Sequence, residues 1–193
     1  MDEIDRKVVA ALQENGRASL KKIGEILGFT SMGAKKRLDK LLKSGVIKVS
    51  ALVNVKKAKA YAAILLLEVN SSAAMKRILE KFKKCPRVVY VCSTIGGYNM
   101  LVMTVAEDLS TLESESLEVC SIRSQPGVRR SEFYPIGEIY YSPYLPVRVN
   151  LASRSREKAP CGAVCKNCER YASNKCRACP STIYYRSSAD SLF

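Results

Sequence analysis

Apolar residues recur at helical spacing across residues 20–47, and a glycine interrupts the pattern once, which predicts two short helices joined by a tight turn. We expect the first helix to cover residues 20–27, with Ser19 as its N-cap and Gly28 ending it in a left-handed conformation. The second helix is expected to begin after a cap at Thr30 or Ser31 and to close at Gly45.

The second helix has an apolar stripe and a basic outer surface. Ala34, Leu38 and Leu41 share one face, whereas lysines occupy the others. Such a helix, after a short helix and a glycine-containing turn, is typical of helix-turn-helix DNA binding. Taken alone, the motif is equally compatible with an ordinary amphipathic hairpin whose lysines are solvated.

The flanking segments extend this motif. Residues 2–15 predict a helix that packs across the other two, and residues 46–55 are β-branched and partly alternating, which predicts a strand. Three helices followed by a strand form a winged helix-turn-helix, and Lys48 would lie on the wing.

The middle of the chain predicts a ferredoxin-like α+β unit. Its elements alternate in the order βαββαβ, which places two helices on one face of an antiparallel sheet. We expect Leu109, Leu112 and Leu117 to face that sheet, and a second subunit to cover its open face. The predicted elements are strand 61–69, helix 72–84, strand 88–95, strand 98–105, helix 109–122 and strand 128–134.

Charge is distributed unevenly along the chain. The 32 lysines and arginines outnumber the 18 acidic residues, with a net charge of +8 in residues 1–60, zero in 61–147 and +6 in 148–193. Two basic ends favour nucleic acid over a membrane as the partner. No apolar run approaches the roughly 20 residues of a membrane span, and the acidic first residues do not suit a signal peptide. We therefore expect a cytoplasmic protein without membrane association.

Catalysis has little support in the sequence. The chain has no histidine, which removes the commonest general base and the imidazole metal ligand. No phosphate-binding loop or dinucleotide-binding fingerprint is present. We expect a binding protein rather than an enzyme, and any metal would need cysteine or carboxylate ligands.

Cysteines are concentrated in the C-terminal tail. Two Cys-x-x-Cys pairs and a leading Cys-x-x-x-Cys predict a metal site in an intracellular chain, with zinc slightly preferred over an iron–sulfur cluster. Disulfides are the alternative. Four ligands could be the last four of these cysteines, or the first could replace the last. The five tail residues are Cys161, Cys165, Cys168, Cys176 and Cys179, and the three outside the tail, predicted to be small buried side chains, are Cys85, Cys92 and Cys120.

Residues 4–54 resemble the N-terminal domain of leucine-responsive/asparagine-type (Lrp/AsnC) transcription regulators. The resemblance implies that the second helix of the turn motif enters the major groove, with its N-terminal part at the base edges. It places Ser31, Met32, Lys35 and Lys36 at or near bases and Lys40 and Lys43 near phosphates, and it leaves Arg37 between a DNA contact and an internal salt bridge. The resemblance is carried by Ile4, Asp5, Leu12, Asn15, Gly16, Arg17, Gly28, Arg37, Leu41, Gly45, Val46 and Ile47.

The βαββαβ order also resembles the sensor module of that family, which dimerises through its sheet. Gly96, Gly97, Tyr98 and Asn99 resemble its Gly-x-Tyr/Phe-Asp hairpin, which implies an amino-acid-like effector site. This chain has Asn99 where the pattern has Asp, so it keeps an acceptor but lacks the charge that would hold an ammonium group.

Three segments follow from these patterns: a winged helix-turn-helix in residues 1–55, an effector and oligomerisation domain in 56–150, and a basic linker with a cysteine-rich metal-binding tail in 151–193. We expect a sequence-specific transcription regulator, dimeric or larger, tuned by a small molecule and by a cysteine-ligated metal. The alternatives are an architectural protein that coats DNA and an iron–sulfur redox sensor. A coating protein would show a steep salt dependence with almost no sequence preference.

Overall fold

The computed structural model describes residues 1–188 and 191–193 and divides into two compact units, residues 1–51 and 52–193. Among the described residues, no helix is long and apolar enough to cross a membrane.

Three helices form the first unit. They are α1 (Glu3–Glu14), α2 (Leu20–Leu27) and α3 (Ser31–Lys43). Their core is fully buried and draws on all three helices, because each contributes an apolar stripe. The predicted three-helix core is thereby confirmed. The helical spacing also predicts that Ile26 faces inward with Ile23 and Leu27, but Ile26 is 47% exposed. The buried residues are Val8, Ile23, Ala34 and Leu41.

The turn between α2 and α3 depends on two glycines. Gly28 ends α2 with φ +67°, a conformation that glycine adopts without a steric penalty. A Cβ on Gly24 would lie 2.7 Å from the Phe29 carbonyl oxygen, so the close approach of the chain to α2 requires a residue without a side chain. Thr30 then caps α3 by accepting a hydrogen bond from the Gly33 amide at 3.2 Å.

The predicted strand at residues 46–55 is wrong over most of its length. No strand occurs in residues 1–51, all of which are described, and only β1 (Val53–Asn54) is extended and paired, with Tyr144–Leu145. A strand needs a partner for its backbone groups, and the first unit consists of helices. Val46 and Val49 are 57% and 50% exposed, and Lys48 lies on an exposed irregular segment instead of a paired wing.

The second unit confirms the ferredoxin-like order. Its elements after β1 are β2 (Tyr61–Val69), α4 (Ser72–Phe82), β3 (Val88–Ser93), β4 (Met100–Ala106), α5 (Leu109–Leu117), β5 (Val128–Pro135), β6 (Tyr144–Leu145) and α6 (Glu169–Ala172). The four main strands form an antiparallel sheet in the order β3-β4-β2-β5, and a short pair joins β1 to β6.

Strand β2 occupies the centre and separates two different faces. Leu65 and Leu67 are at most 1% exposed and pack with Ile78 of α4 in the main core. Alternate residues point the other way, and there Ile64 and Leu66 are only half-buried. One face of the sheet is therefore covered within the chain, and the other presents apolar side chains.

Helix α5 is oriented differently from the prediction. Leu112 is buried as expected, but Leu109 and Leu117 are 55% and 61% exposed. The buried positions include Thr111 and Ser114, at 0% and 1% exposure. Polar groups can be buried when they are hydrogen-bonded, and the partners here come from the C-terminal tail.

The C-terminal tail packs on the second unit. Ala159 and Cys161 belong to the main core with Leu65, and Phe193 is buried in a second cluster. Arg170 Nε donates to Ser114 Oγ at 2.6 Å, and the amide of Arg177 donates to Thr111 Oγ1 at 3.2 Å. The tail thus covers the polar side of α5.

An ion pair links α3 to the start of α1. Arg37 Nη1 lies 2.6 Å from Asp2 Oδ2 and 3.2 Å from Asp5 Oδ1. The Asp2 carboxylate also caps α1 by accepting the Asp5 amide. That backbone hydrogen bond and the bond from Arg37 hold the pKa of Asp2 below its usual range.

We expect Arg37→Ala to lower the free energy of unfolding of the first unit, because the Asp2 and Asp5 carboxylates lose a charged donor. The lowered pKa of Asp2 contributes stability above the unfolded value, near 3.9, and that contribution is lost as the pH falls. The difference from the wild type should therefore shrink below about pH 4.

Amide hydrogen exchange in α1 and α3 of the intact chain measures this effect at neutral and acidic pH. Lys36→Ala is the matched control, because Lys36 forms no salt bridge among the described residues. Equal exchange in the two variants at neutral pH would contradict the role of the ion pair.

Candidate functional site

The outer surface of α3 presents exposed side chains at its N-terminal end. Ser31, Lys35 and Lys36 are exposed, and Met32 is 72% exposed. The hydrophobic core anchors the opposite side of the helix through Ala34. The core thus holds one side of α3, and the opposite side is exposed to solvent, as a helix that enters the major groove requires.

The basic side chains of this surface are not neutralised within the unit. Lys35, Lys36, Lys40 and Lys43 form no hydrogen bond or salt bridge with any residue that the structure describes. Lys48, on the segment after α3, is likewise exposed and without such a bond in the described part of the chain. The surface therefore carries a concentration of positive charge that is available to an anionic partner.

Arg37 differs from these lysines. Its guanidinium is paired with Asp2 and Asp5, and its side chain is 28% exposed. Of the two roles that the sequence left open for Arg37, the structure thus has the internal salt bridge.

The hairpin between β3 and β4 has Asn99 fully engaged. Asn99 Oδ1 accepts from the Val69 amide at 2.8 Å, and its Nδ2 donates to the Val69 carbonyl at 2.8 Å. The backbone N–H of Asn99 also donates to the Leu67 carbonyl at 3.0 Å. Because one side-chain group satisfies both backbone groups of Val69, Asn99 acts here as a bridge between the hairpin and β2.

A carboxylate lies beside the same hairpin. Tyr98 Oη donates to Glu132 Oε1 at 2.5 Å, and Tyr134 Oη donates to Glu132 Oε2. These two hydroxyls hold the pKa of Glu132 below its usual range, so it is an anion at neutral pH. Arg130 lies 4.6 Å from the centre of the Tyr98 ring and donates to the Gly97 carbonyl at 3.4 Å. Gly96 has φ +152° and forms the turn without side-chain crowding.

The cysteines meet in one place. All eight are free thiols, and seven of them line a cavity of about 70 Å³: Cys85, Cys120, Cys161, Cys165, Cys168, Cys176 and Cys179.

The eighth cysteine, Cys92, lies outside this thiol cavity, on β3 opposite Leu101. Among the described residues, no three cysteine or carboxylate side chains are placed so that they could hold a metal ion. Burial raises the pKa of the Cys120 thiol and raises that of Cys179 to about 11, so both are neutral without a cation.

Sequence reasoning missed four residues of these sites. Glu132 and Arg130 lie near the hairpin because β5 pairs with β2. No local sequence pattern predicts that pairing. Cys85 and Cys120 were predicted to be ordinary buried side chains, yet both line the thiol cavity. Only the docking of the tail brings them together with the cysteines of the tail.

Comparison with known proteins covers both units. Residues 1–48 match the family described as winged helix-turn-helix DNA-binding, and residues 62–143 match the Lrp/AsnC ligand binding domain. The HTH-type transcriptional regulator FL11 of Pyrococcus horikoshii is 33% identical over 131 residues, which cover 66% of this chain and 83% of FL11.

Solved structures share the fold. Escherichia coli AsnC superimposes with a TM-score of 0.63 at 15% identity and covers 74% of this chain and 95% of its own. A transcriptional regulator of Neisseria meningitidis, solved as a complex with L-Met, has a TM-score of 0.64 at 21% identity and covers 78% and 99%. Together with the two matching domains and the identity to FL11, these likenesses show that the chain belongs to the Lrp/AsnC family, as a DNA-binding transcription regulator with a ligand-binding domain.

Proposed function

We propose that this regulator reads specific DNA sequences with the N-terminal half of α3 in the major groove. The observation that carries the proposal is the exposed, unpaired basic surface of α3 above a well-packed three-helix core. Lys35 and Lys36 can donate to base acceptors, and Met32 can contact the apolar edge of thymine. Ser31 at the helix start would reach the nearest base or phosphate.

Lys40, Lys43 and Lys48 take a different role in this proposal. They lie beyond the N-terminal half of α3, and we assign them to phosphates, which position the protein without reading sequence. A DNA-coating protein would need only this second group. The division between base and phosphate contacts therefore separates a specific regulator from an architectural one.

The ferredoxin-like unit serves assembly in this proposal. Its open sheet face carries two cross-strand apolar pairs, Ile64 with Met103 and Leu66 with Leu101. All four are only half-buried in the single chain. A second copy of this chain would remove them from water and would place two helix-turn-helix units on successive half-sites.

The hairpin and Glu132 form the proposed effector site. An amino-acid-like ligand would place its ammonium group on the Glu132 carboxylate, since the polar atoms of Asn99 are already bonded to Val69. Support comes from the ligand-binding domain match and from the related fold that was solved with L-Met. Glu132 would thus supply the negative charge that the family pattern has at the position of Asn99.

Lysine substitutions test the reading of DNA. We expect Lys35→Ala and Lys36→Ala to weaken specific binding more than non-specific binding, because a good base contact is worth about 1–3 kcal/mol of discrimination. Lys43→Ala should weaken both equally and reduce the salt slope by roughly one unit. Fluorescence anisotropy with operator and scrambled duplexes at several salt concentrations measures both quantities. If the Lys35 and Lys36 variants lost equal affinity for the two duplexes, α3 would not be the reading helix.

Light scattering at micromolar concentration tests the assembly. The wild type should be at least a dimer, and footprints should show two half-sites about 34–36 Å apart, or a multiple of that spacing. Met103→Arg should shift the protein towards monomer, because its cross-strand neighbours are Ile64 and Tyr90 and the charge would be buried unpaired on the sheet face. Leu109→Arg, at an exposed apolar position of α5, is the control and should remain dimeric. A monomeric wild type would refute this part of the proposal.

Calorimetric titration with the common L-amino acids tests the effector site. At least one should bind, and Glu132→Gln should weaken its binding by roughly 10–100-fold, because the ammonium group would lose its charged acceptor. Glu138→Gln removes an exposed carboxylate that pairs with Lys56 and should leave the affinity unchanged. Unchanged binding by the Glu132 variant, or no binding of any amino acid to the wild type, would contradict the assignment.

A further inference from the structure

We propose that the thiol cavity between the sheet and the C-terminal tail holds a thiolate-ligated iron–sulfur cluster. The proposal goes beyond DNA reading and effector binding, since neither uses the cavity. The tail that supplies five of the seven cavity cysteines lies beyond residue 143, where the match to the ligand-binding domain ends.

The cavity is enclosed by every layer of the second unit. Leu65 and Thr104 line it from the sheet, Phe82 from α4 and Glu115 from α5. The tail closes the remaining side with its five cysteines. Cysteines that are remote in sequence thus line one shared cavity. Cysteines buried only as small apolar side chains would not be expected to gather in this way.

The size of the space favours a cluster over a single ion. A cavity needs roughly 10–15 Å³ of such space to hold one water, so about 70 Å³ leaves room for several atoms. A zinc ion instead draws four thiolates to about 2.3 Å from one centre. No three cysteine or carboxylate groups in residues 1–188 and 191–193 converge on an ion in this way. An iron–sulfur cluster keeps its thiolates further apart, because its irons and sulfides lie between them.

The walls also carry buried polar atoms. Arg87 is 6% exposed, and its Nε makes no hydrogen bond among the described residues, although it lies 3.1 Å from Glu115 Oε1. Thr104 Oγ1 is a second buried polar atom of the wall, and it interacts with the Glu115 carboxyl group. Buried donors are normally satisfied. The sulfurs of a cluster accept hydrogen bonds and carry negative charge, so they suit an arginine and a hydroxyl in the wall.

The geometry points to Cys161, Cys165, Cys176 and Cys179 as the ligands. These are the four tail cysteines of the cavity wall whose thiols form no hydrogen bond with a carboxylate among the described residues.

The other cavity cysteines fit a different role. Cys168 Sγ instead donates to Glu118 Oε2 at 3.7 Å, which occupies it outside this group. Cys85 and Cys120 come from the α/β layers and form the inner wall.

Composition of the intact wild-type protein, purified without oxygen and reconstituted with equal amounts of ferrous and ferric iron and with sulfide, is the primary test. We expect about four irons and four acid-labile sulfides per chain, as in a [4Fe–4S] centre, with visible absorption that bleaches on reduction. Stoichiometric zinc without sulfide, or neither metal after reconstitution, would overturn the proposal. This measurement does not depend on the folding of any variant.

Serine variants test the location of the cluster. The double change Cys165→Ser with Cys179→Ser should lose most of the iron and sulfide. Cys92→Ser is the matched control, because Cys92 is the cysteine outside the cavity, and it should keep the wild-type content. Cys168→Ser should also keep it.

Circular dichroism of each variant, with hydrogen exchange of β2 and β4, identifies any variant that fails to fold. Loss of the cluster in Cys92→Ser, or full retention in a folded double variant, would overturn the location. Loss in Cys168→Ser with retention in Cys161→Ser would overturn the set of ligands.

Discussion

One buried guanidinium organises the second unit. Arg87, just before β3, donates to both oxygens of Glu107 at 3.1 and 2.8 Å, and its Nε lies 3.1 Å from Glu115 of α5. A charge buried this deeply is tolerated only when it is paired. Burial alone would lower the pKa of Arg87, but the two carboxylates raise it, so it remains charged. The end of β4, the start of β3 and α5 are therefore held to one point.

The tail covers α5 beside that arrangement. An acidic helix surface is not suited to an apolar cover, because its polar atoms would be left unsatisfied. The tail instead brings its own polar groups: Arg177 Nε donates to Asp108 at 2.5 Å, and Arg170 Nη2 donates to Glu113 at 2.5 Å. The basic character of residues 148–193 thus has an internal use, because part of that charge neutralises the acidic side of α5.

The sequence predicted the features that neighbouring residues determine, but it did not predict those that depend on pairing with distant segments. The caps at Ser19, Gly28 and Thr30 were predicted because capping involves residues only a few positions apart. The strand at residues 46–55 failed because its partner had to come from elsewhere. The orientation of α5 failed for the same reason: Thr111 is buried by a segment more than sixty residues away. The polar positions of α5 do recur at helical spacing, a signal that becomes meaningful only once a basic partner is known.

The role of Asn99 also depends on a distant segment, because its partner Val69 lies on β2. The family pattern suggests that its departure from Asp removes a sensing charge, yet the structure gives the amide a positive reason to be there. A carboxylate could accept from the Val69 amide but could not donate to the Val69 carbonyl, and its charge would face that carbonyl oxygen. The amide does both, as a neighbouring strand would. Glu132, restrained by two tyrosine hydroxyls, keeps a carboxylate beside the hairpin. Glu132 therefore provides the negative charge beside the hairpin, and Asn99 provides the hydrogen bonds that join the hairpin to β2. A substitution at one of these positions need not remove the contribution of the other.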